Sequence, residues 1–491
     1  MDRDRSPTFS TETRPRNLAQ KILWELKVQR PIVLPLLVMN FTWFAKLSIT
    51  MAFLGRLGEL ALAGASLGFT LANVTGFAVL NGLCCAMEPI CGQAFGAKNL
   101  KLLHKTLVMA VLLLLLVSLP VAFLWLNVDR ILICFGQQED ISLVAKKYLL
   151  FLLPDLVIVS FLCPLKYYLS AQSITIPIML STALAVALQV PMNLLLYKAR
   201  GVEGVAMAFW MTDFTIMFLL AVYVVISENW KSQKWAEGGW WEQSTSDWKQ
   251  LIKLAVPCCL TTCLEWWCYE ILVLLTGRLH NAKQAVGIIA ILLNFDYVLF
   301  SVMQSLATAA SVRVSNELGA NNAATARISV SVSLGLGVIS GVLGSLATVG
   351  ARGFWGALFT HEKGITRGVK KMMLILAVME IVNFPLAVSG GIARGTARPL
   401  VGTYASVCGF YLLALPLGVI LAFKLHLGLT GLLVGFIAGV TVCLVVLVVF
   451  IARNNWDEEA KKAQILACCT DEEEEEAAND DKSEKLPNCT Y

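Results

Sequence analysis

Apolar residues in this chain neither alternate nor keep to one helical face. They come in unbroken blocks of about 22–25 residues, each apolar all round and separated by short polar breaks. Blocks of that length cross the ~30 Å hydrocarbon core of a bilayer as α-helices. The pattern predicts twelve spans, at 32–53, 62–86, 105–126, 147–168, 175–197, 203–226, 251–275, 285–309, 326–349, 371–392, 400–423 and 428–451. The polar remainder predicts a tail over 1–31, a loop over 227–250 and an acidic tail over 453–491. The spans fall into a first lobe at 32–226 and a second at 251–452. The fold class is therefore an all-α polytopic membrane protein.

Composition sharpens this. Of 491 residues, 57% are apolar and 15% charged, with a mean hydropathy of +0.69. Soluble domains run nearer half apolar and a quarter charged, so a soluble enzyme is excluded, as is a single-anchor receptor with a large ectodomain. The net charge of +5, without a basic-aromatic array, gives no reason to expect nucleic acid as a partner. Lys98, Lys101 and Lys105 after the second span, with the basic residues of the first tail, place both termini in the cytosol. No C-x-x-C pair occurs and the four histidines are scattered, so no metal site is expected. Cys468 and Cys469, just beyond the last span, are candidates for lipidation.

The two halves repeat. Pro35, the run Gly55-Arg56-Leu57 and Pro177 recur 222 residues later as Pro257, Gly277-Arg278-Leu279 and Pro399. The stretch Gln93 to Asn99 recurs as Asn316 to Asn322, one residue further on. Several landmarks in one order at one offset mark an internal repeat. Six spans repeated in parallel imply two lobes about an axis along the membrane normal, with a cavity where they meet. That is transporter architecture. The segment Gly92 to Lys98 lacks the ending of a Walker A loop, so no nucleotide engine is expected.

Eight charged side chains lie in or at the ends of spans: Lys46, Glu88, Asp155, Asp213, Glu265, Glu270, Asp296 and Glu380. An ionised group at mid-bilayer costs ~2.5–3.5 kcal/mol, so each should face a wet cavity, find a partner or hold a proton. Lys46 and Asp155 are expected to pair within the first lobe. Glu88, near a span end, is expected to snorkel or cap. Asp213 is left open, and Asp296, beside Asn294 and Tyr297, divides evenly between a cavity role and packing. Five residues of helix turn through about 500°, so Glu265 and Glu270 point ~140° apart and cannot share one narrow face. Glu265, with Trp266 and Trp267 beside it, is the cavity candidate. Apolar neighbours disfavour the charged form of a carboxyl group, which suits a proton carrier. Pro385, five residues after Glu380, is expected to break the tenth span.

These landmarks resemble the multidrug and toxic compound extrusion (MATE) family, and within it the plant detoxification-carrier branch. Pro89-Ile-Cys-Gly92-Gln93-Ala-Phe-Gly96-Ala97 is similar to the motif after span two. Cys263-Leu-Glu265-Trp266-Trp267-x-Tyr-Glu270 is similar to the span-seven motif of the plant branch. Arg313-Val-Ser315-Asn316-Glu317-Leu318-Gly319-Ala320 resembles the most specific family signature. Ala393-Arg394-Gly395-Thr396-Ala397-Arg398-Pro399 resembles the loop between spans ten and eleven of one plant subgroup. The resemblance covers about residues 30–452. It implies a V-shaped antiporter coupled to H⁺, with Glu265, Glu270 and Glu380 as proton carriers and no other cofactor. Trp266, Trp267, Asp296, Tyr297, Asn383, Lys46 and Asn40 are the cavity candidates. Bacterial relatives carry an Asp in span one where this chain has Asn40 and Lys46, which speaks against a proton site in the first lobe. Arg313 to Asn322 and Gly92 to Asn99 are expected as turns joining spans.

The expectation is an H⁺-coupled exporter of small organic solutes. It would work as a monomer in the plasma membrane, or else in the Golgi, late endosome or vacuole. The alternative on the same scaffold is a lipid flippase or a gradient-independent sensor. An acid-lined cavity with Lys46 as its one intramembrane cation weighs against an anionic headgroup.

Overall fold

A computed structural model describes residues 17–230 and 243–467. It is helical almost throughout, and twelve helices are long and apolar enough to cross a membrane. The first lobe holds α1 (Leu18–Gly55), α2 (Glu59–Gly96), α3 (Leu100–Leu126), α4 (Glu139–Ala171), α5 (Ile176–Arg200) and α6 (Val202–Ser227). The second holds α7 (Thr245–Thr276), α8 (Ala282–Gly319), α9 (Ala323–Ala351), α10 (Lys363–Gly395), α11 (Pro399–Lys424) and α12 (Leu429–Arg453). Besides short helices at Val128–Cys134 and Trp355–Phe359, a further helix, labelled α13, is described over 456–467. Each lobe has its own apolar core, one centred on residues such as Trp125 and Tyr148, the other on Phe384 and Phe436.

Local chemistry sets the ends. Ser244 and Asp247 form a capping box at the start of α7, with Asp247 Oδ2 2.9 Å from the Ser244 amide. Asn99 caps α3 by accepting from the Leu102 amide at 3.0 Å. Pro399 stands in the first turn of α11, where its missing N–H costs nothing.

Three expectations about the ends and breaks of helices need correction. The expected first tail is helical from Leu18, so α1 has 38 residues and is about 57 Å long, well beyond the hydrocarbon thickness. The family motifs are also mostly helix and not turn: 92–96 closes α2 and 313–319 closes α8, leaving turns only at 97–99 and 320–322. Their polar residues read as loop because hydropathy cannot tell solvent from the other lobe. Finally, α10 runs unbroken through Pro385. Irregular winding falls elsewhere, in π-helical stretches at Asn73–Phe77 of α2 and at Val407–Ala414 and Ile420–Lys424 of α11.

The lobes meet most closely where the repeated motifs cross. A Cβ on Gly96 would lie 2.1 Å from the Asn316 carbonyl oxygen, and one on Gly319 would lie 2.1 Å from that of Gln93. Gln93 and Gly96 are the repeat partners of Asn316 and Gly319, so α2 and α8 touch as a pseudo-symmetric pair. Only glycine permits backbones this close.

Candidate functional site

The face that carries the motifs is closed by charge as well as by glycine. Arg313 of α8 forms a bidentate pair with Glu25 of α1, at 2.9 and 3.0 Å, and reaches Glu317 at 2.7 Å. Lys105 of α3 meets Asp247 of α7 at 2.5 Å, and Arg394 of α10 meets Glu88 of α2 at 2.9 Å. Gln29 donates to the Ser333 hydroxyl at 3.0 Å, and Gln93 to the Gly395 carbonyl at 3.2 Å. Asn316 donates to the Ala171 carbonyl at 3.1 Å. Each of these joins one lobe to the other, except the Arg313–Glu317 contact within α8. Glu88 therefore neither snorkels nor caps: it is the buried partner of Arg394 across the lobe boundary.

Nearer mid-membrane the contacts thin out. Asn40 donates to the Ser305 hydroxyl at 2.9 Å, and the Trp267 indole to the Val74 carbonyl at 3.4 Å. Val74 lies in the π-helical stretch of α2, where the altered winding presents its carbonyl to the other lobe. Among the described residues, no inter-lobe ion pair or hydrogen bond lies closer to the opposite face. The inter-lobe contacts thus concentrate at the motif face.

The interior charges divide by lobe. In the first lobe Lys46 pairs with Asp213 at 2.5 Å and sits 3.4 Å from the centre of the ring of Phe209, one turn before Asp213 on α6. Asp155, fully buried, lies within electrostatic reach of both. The expected Lys46–Asp155 pair is thus corrected: Asp213, left open by the sequence, holds the lysine, because α6 and not α4 presents a carboxylate to its ammonium. Lys46 is enclosed in that cluster and is not among the residues lining the cleft.

The second lobe contains acids without such a partner. Asp296 of α8 and Glu380 of α10 face one another deep in the lobe, at 4% and 0% exposure. No Lys or Arg pairs with Glu265, Asp296 or Glu380 among the described residues. Glu265 lines a cleft within the second lobe, with Tyr269, Phe300, Gln304, Asn383 and Arg394 also on its wall. Behind it Trp266 stacks on Tyr297 at 6.2 Å and meets Phe300 edge-on at 5.4 Å. Glu270 is half-buried near Tyr297 and joins neither the cleft nor the Asp296–Glu380 pair. Trp267 faces the first lobe and not the cleft. Asn40 serves as an inter-lobe tie.

Sequence reasoning missed Glu25, Gln29, Lys105, Asp247 and α13. Glu25 and Gln29 lay in a segment read as a tail. The spacing of Ala460, Ala463 and Ala467, three and four apart, was the available sign of a close-packed helix. Cys468, Cys469 and the run Asp471 to Glu476 lie outside the described residues.

Comparison with known proteins fits this geometry. The MatE family model matches residues 35–195 and 257–420, whose starts stand as far apart as Pro35 and Pro257. The chain is 62% identical over 444 residues to Protein DETOXIFICATION 56 of Arabidopsis thaliana, covering 90% of each. It is 40% identical to Protein DETOXIFICATION 49 of the same plant, covering 90% of this chain and 88% of that one. The crystal structure of the eukaryotic MATE transporter AtDTX14 superposes with a TM-score of 0.84 at 30% identity, over 90% of this chain and 99% of that one. The Vibrio cholerae MATE transporter VcmN, in its bent form, shares the fold at 16% identity, with a TM-score of 0.76 over 91% of this chain and 99% of that one. Two six-helix lobes, a repeated motif at their crossing and these matches together make the chain a member of the MATE family of membrane transporters, in its DETOXIFICATION group.

Proposed function

We propose that the protein is a secondary antiporter that exports small organic solutes from the cytosol in exchange for H⁺, with the motif face toward the cytosol and both termini inside. In this reading the structure is the outward-facing state. The observation that carries the proposal is the acidic interior of the second lobe. Two buried carboxyl groups near one another in a low-dielectric interior cannot both hold charge cheaply, which suits Asp296 and Glu380 to carrying a proton. Glu265, on the cleft wall, exchanges protons with the aqueous side and is discharged by a cationic solute arriving beside it.

The aromatic side chains on the cleft wall, Tyr269, Phe300 and Phe410, suit planar organic solutes, and the carboxyl group of Glu265 favours cationic ones. Each pH unit supplies ~1.4 kcal/mol per proton, and each 100 mV adds ~2.3 kcal/mol per charge. One proton per solute therefore sustains about a tenfold solute gradient per pH unit. The lobes alternate by parting at the motif face while closing at the other.

The test is solute flux into proteoliposomes under an imposed pH gradient, across a panel of organic cations, phenolics and organic anions. Flux that follows the gradient and collapses with a protonophore supports antiport. Flux indifferent to the gradient across the panel would remove it.

A further inference from the structure

Helix α13 lies across the closed motif face and touches both lobes. Its inner stripe, Ala460, Ala463 and Ala467, is 1%, 2% and 0% exposed, so small side chains bring it flat against the protein. Glu459, 4% exposed, pairs with Arg398 from the turn before α11. Gln464 donates to the carbonyl of Gly319, at the end of the α8 motif.

Two backbone carbonyls of α13 accept from side chains outside it. Here Gln250 of α7 donates to the Leu466 carbonyl at 3.4 Å and Asn99 donates to that of Ala467 at 2.8 Å. Gly319, Arg398 and Gln250 belong to the second lobe. Asn99 belongs to the first, where its side-chain oxygen also caps α3.

We propose that α13 is a clasp: it bridges the ends of both repeated motifs, holds the motif face shut, and releases Asn99 before that face opens. The geometry requires a release, because a helix fixed to both lobes cannot follow each as they part. Three of its four polar anchors are on the second lobe, so it stays with that lobe and parts from Asn99. The proposal rests on the alternating-access reading but not on the identity of the coupling ion.

Hydrogen exchange on the full chain in lipid nanodiscs tests it. Asn99→Asp keeps the cap on α3 but loses the donor to Ala467. Gln464→Ala removes the tie to Gly319, and a chain ending at Asn455 removes the clasp. We expect residues 92–99 and 313–322 to exchange about two- to tenfold faster in both point variants, as loss of one hydrogen bond implies, and faster still in the truncated chain. Substituting exposed Lys461 by Ala should change nothing. Unchanged exchange of both motif segments in Asn99→Asp and Gln464→Ala would overturn the clasp, whether or not the truncated chain folds. Faster exchange in a protein without pH-driven flux would sink antiport and leave the clasp standing.

Discussion

The two lobes share a fold and a repeat, yet among the described residues the first sets Lys46 beside its mid-membrane acids Asp155 and Asp213, while no Lys or Arg pairs with those of the second. In the first lobe Lys46 is neutralised by Asp213, seated on Phe209, and braced by Gln189, which donates to the Lys46 carbonyl at 3.2 Å and to Thr50 at 3.0 Å. In the second, no Lys or Arg forms an ion pair with Glu265, Asp296 or Glu380 among the described residues, and these acids lie at or behind a cleft. The repeat did not copy the chemistry. At the 222-residue offset Lys46 corresponds to Cys268, and Glu265 to Trp43. A paired charge moves rigidly with its lobe. Unpaired acids respond to protons. The same architecture thus carries two different arrangements of charge.

The sharpest way to break this contrast is to neutralise the second lobe. Glu380→Gln should leave the protein inserted and folded while reducing pH-driven flux to background, read in proteoliposomes beside substrate binding. Undiminished flux would make Glu380 a structural acid and shift the burden to Glu265 alone.

The first lobe should answer in stability instead. Lys46→Met strands Asp213 without its cation, and breaking a buried pair from one side costs about 3–5 kcal/mol. Thermal unfolding in detergent should show that loss, and Lys46→Met with Asp213→Leu should recover most of it. If the double variant stays folded but loses coupling, the lobes are not divided as described.

The closure of the motif face comes next. Glu25→Gln weakens the grip on Arg313 by about 1.5–3 kcal/mol, the value of hydrogen bonds to charged groups. It should favour the state open at that face, raising the reactivity of a cysteine placed at Ser315. The smallest effect belongs to the aromatic pair that backs Phe300 behind the cleft wall. Trp266→Ala removes stacking on Tyr297 worth about 0.5–1.5 kcal/mol. It should raise KM for planar substrates several-fold while sparing kcat and leaving non-aromatic solutes unaffected.

What the sequence determined by itself follows from the bilayer. Each span must be about 20 apolar residues long because unsatisfied backbone is intolerable in hydrocarbon, and that signal is local. The repeat was equally plain, because glycines and prolines at a constant offset need no partner to be read. So were the acids, since a charge in an apolar block stands out wherever it points. Partners were not legible. Lys46 and Asp213 stand 167 residues apart, Glu25 and Arg313 288, and Glu88 and Arg394 306. Hydropathy marked 18–31 and 456–467 as polar, and polar segments buried against another lobe look like tails until the lobes are assembled. Only the tertiary structure decided which acid meets which cation, because burial and pairing depend on the packing of two lobes and not on the order of residues along the chain.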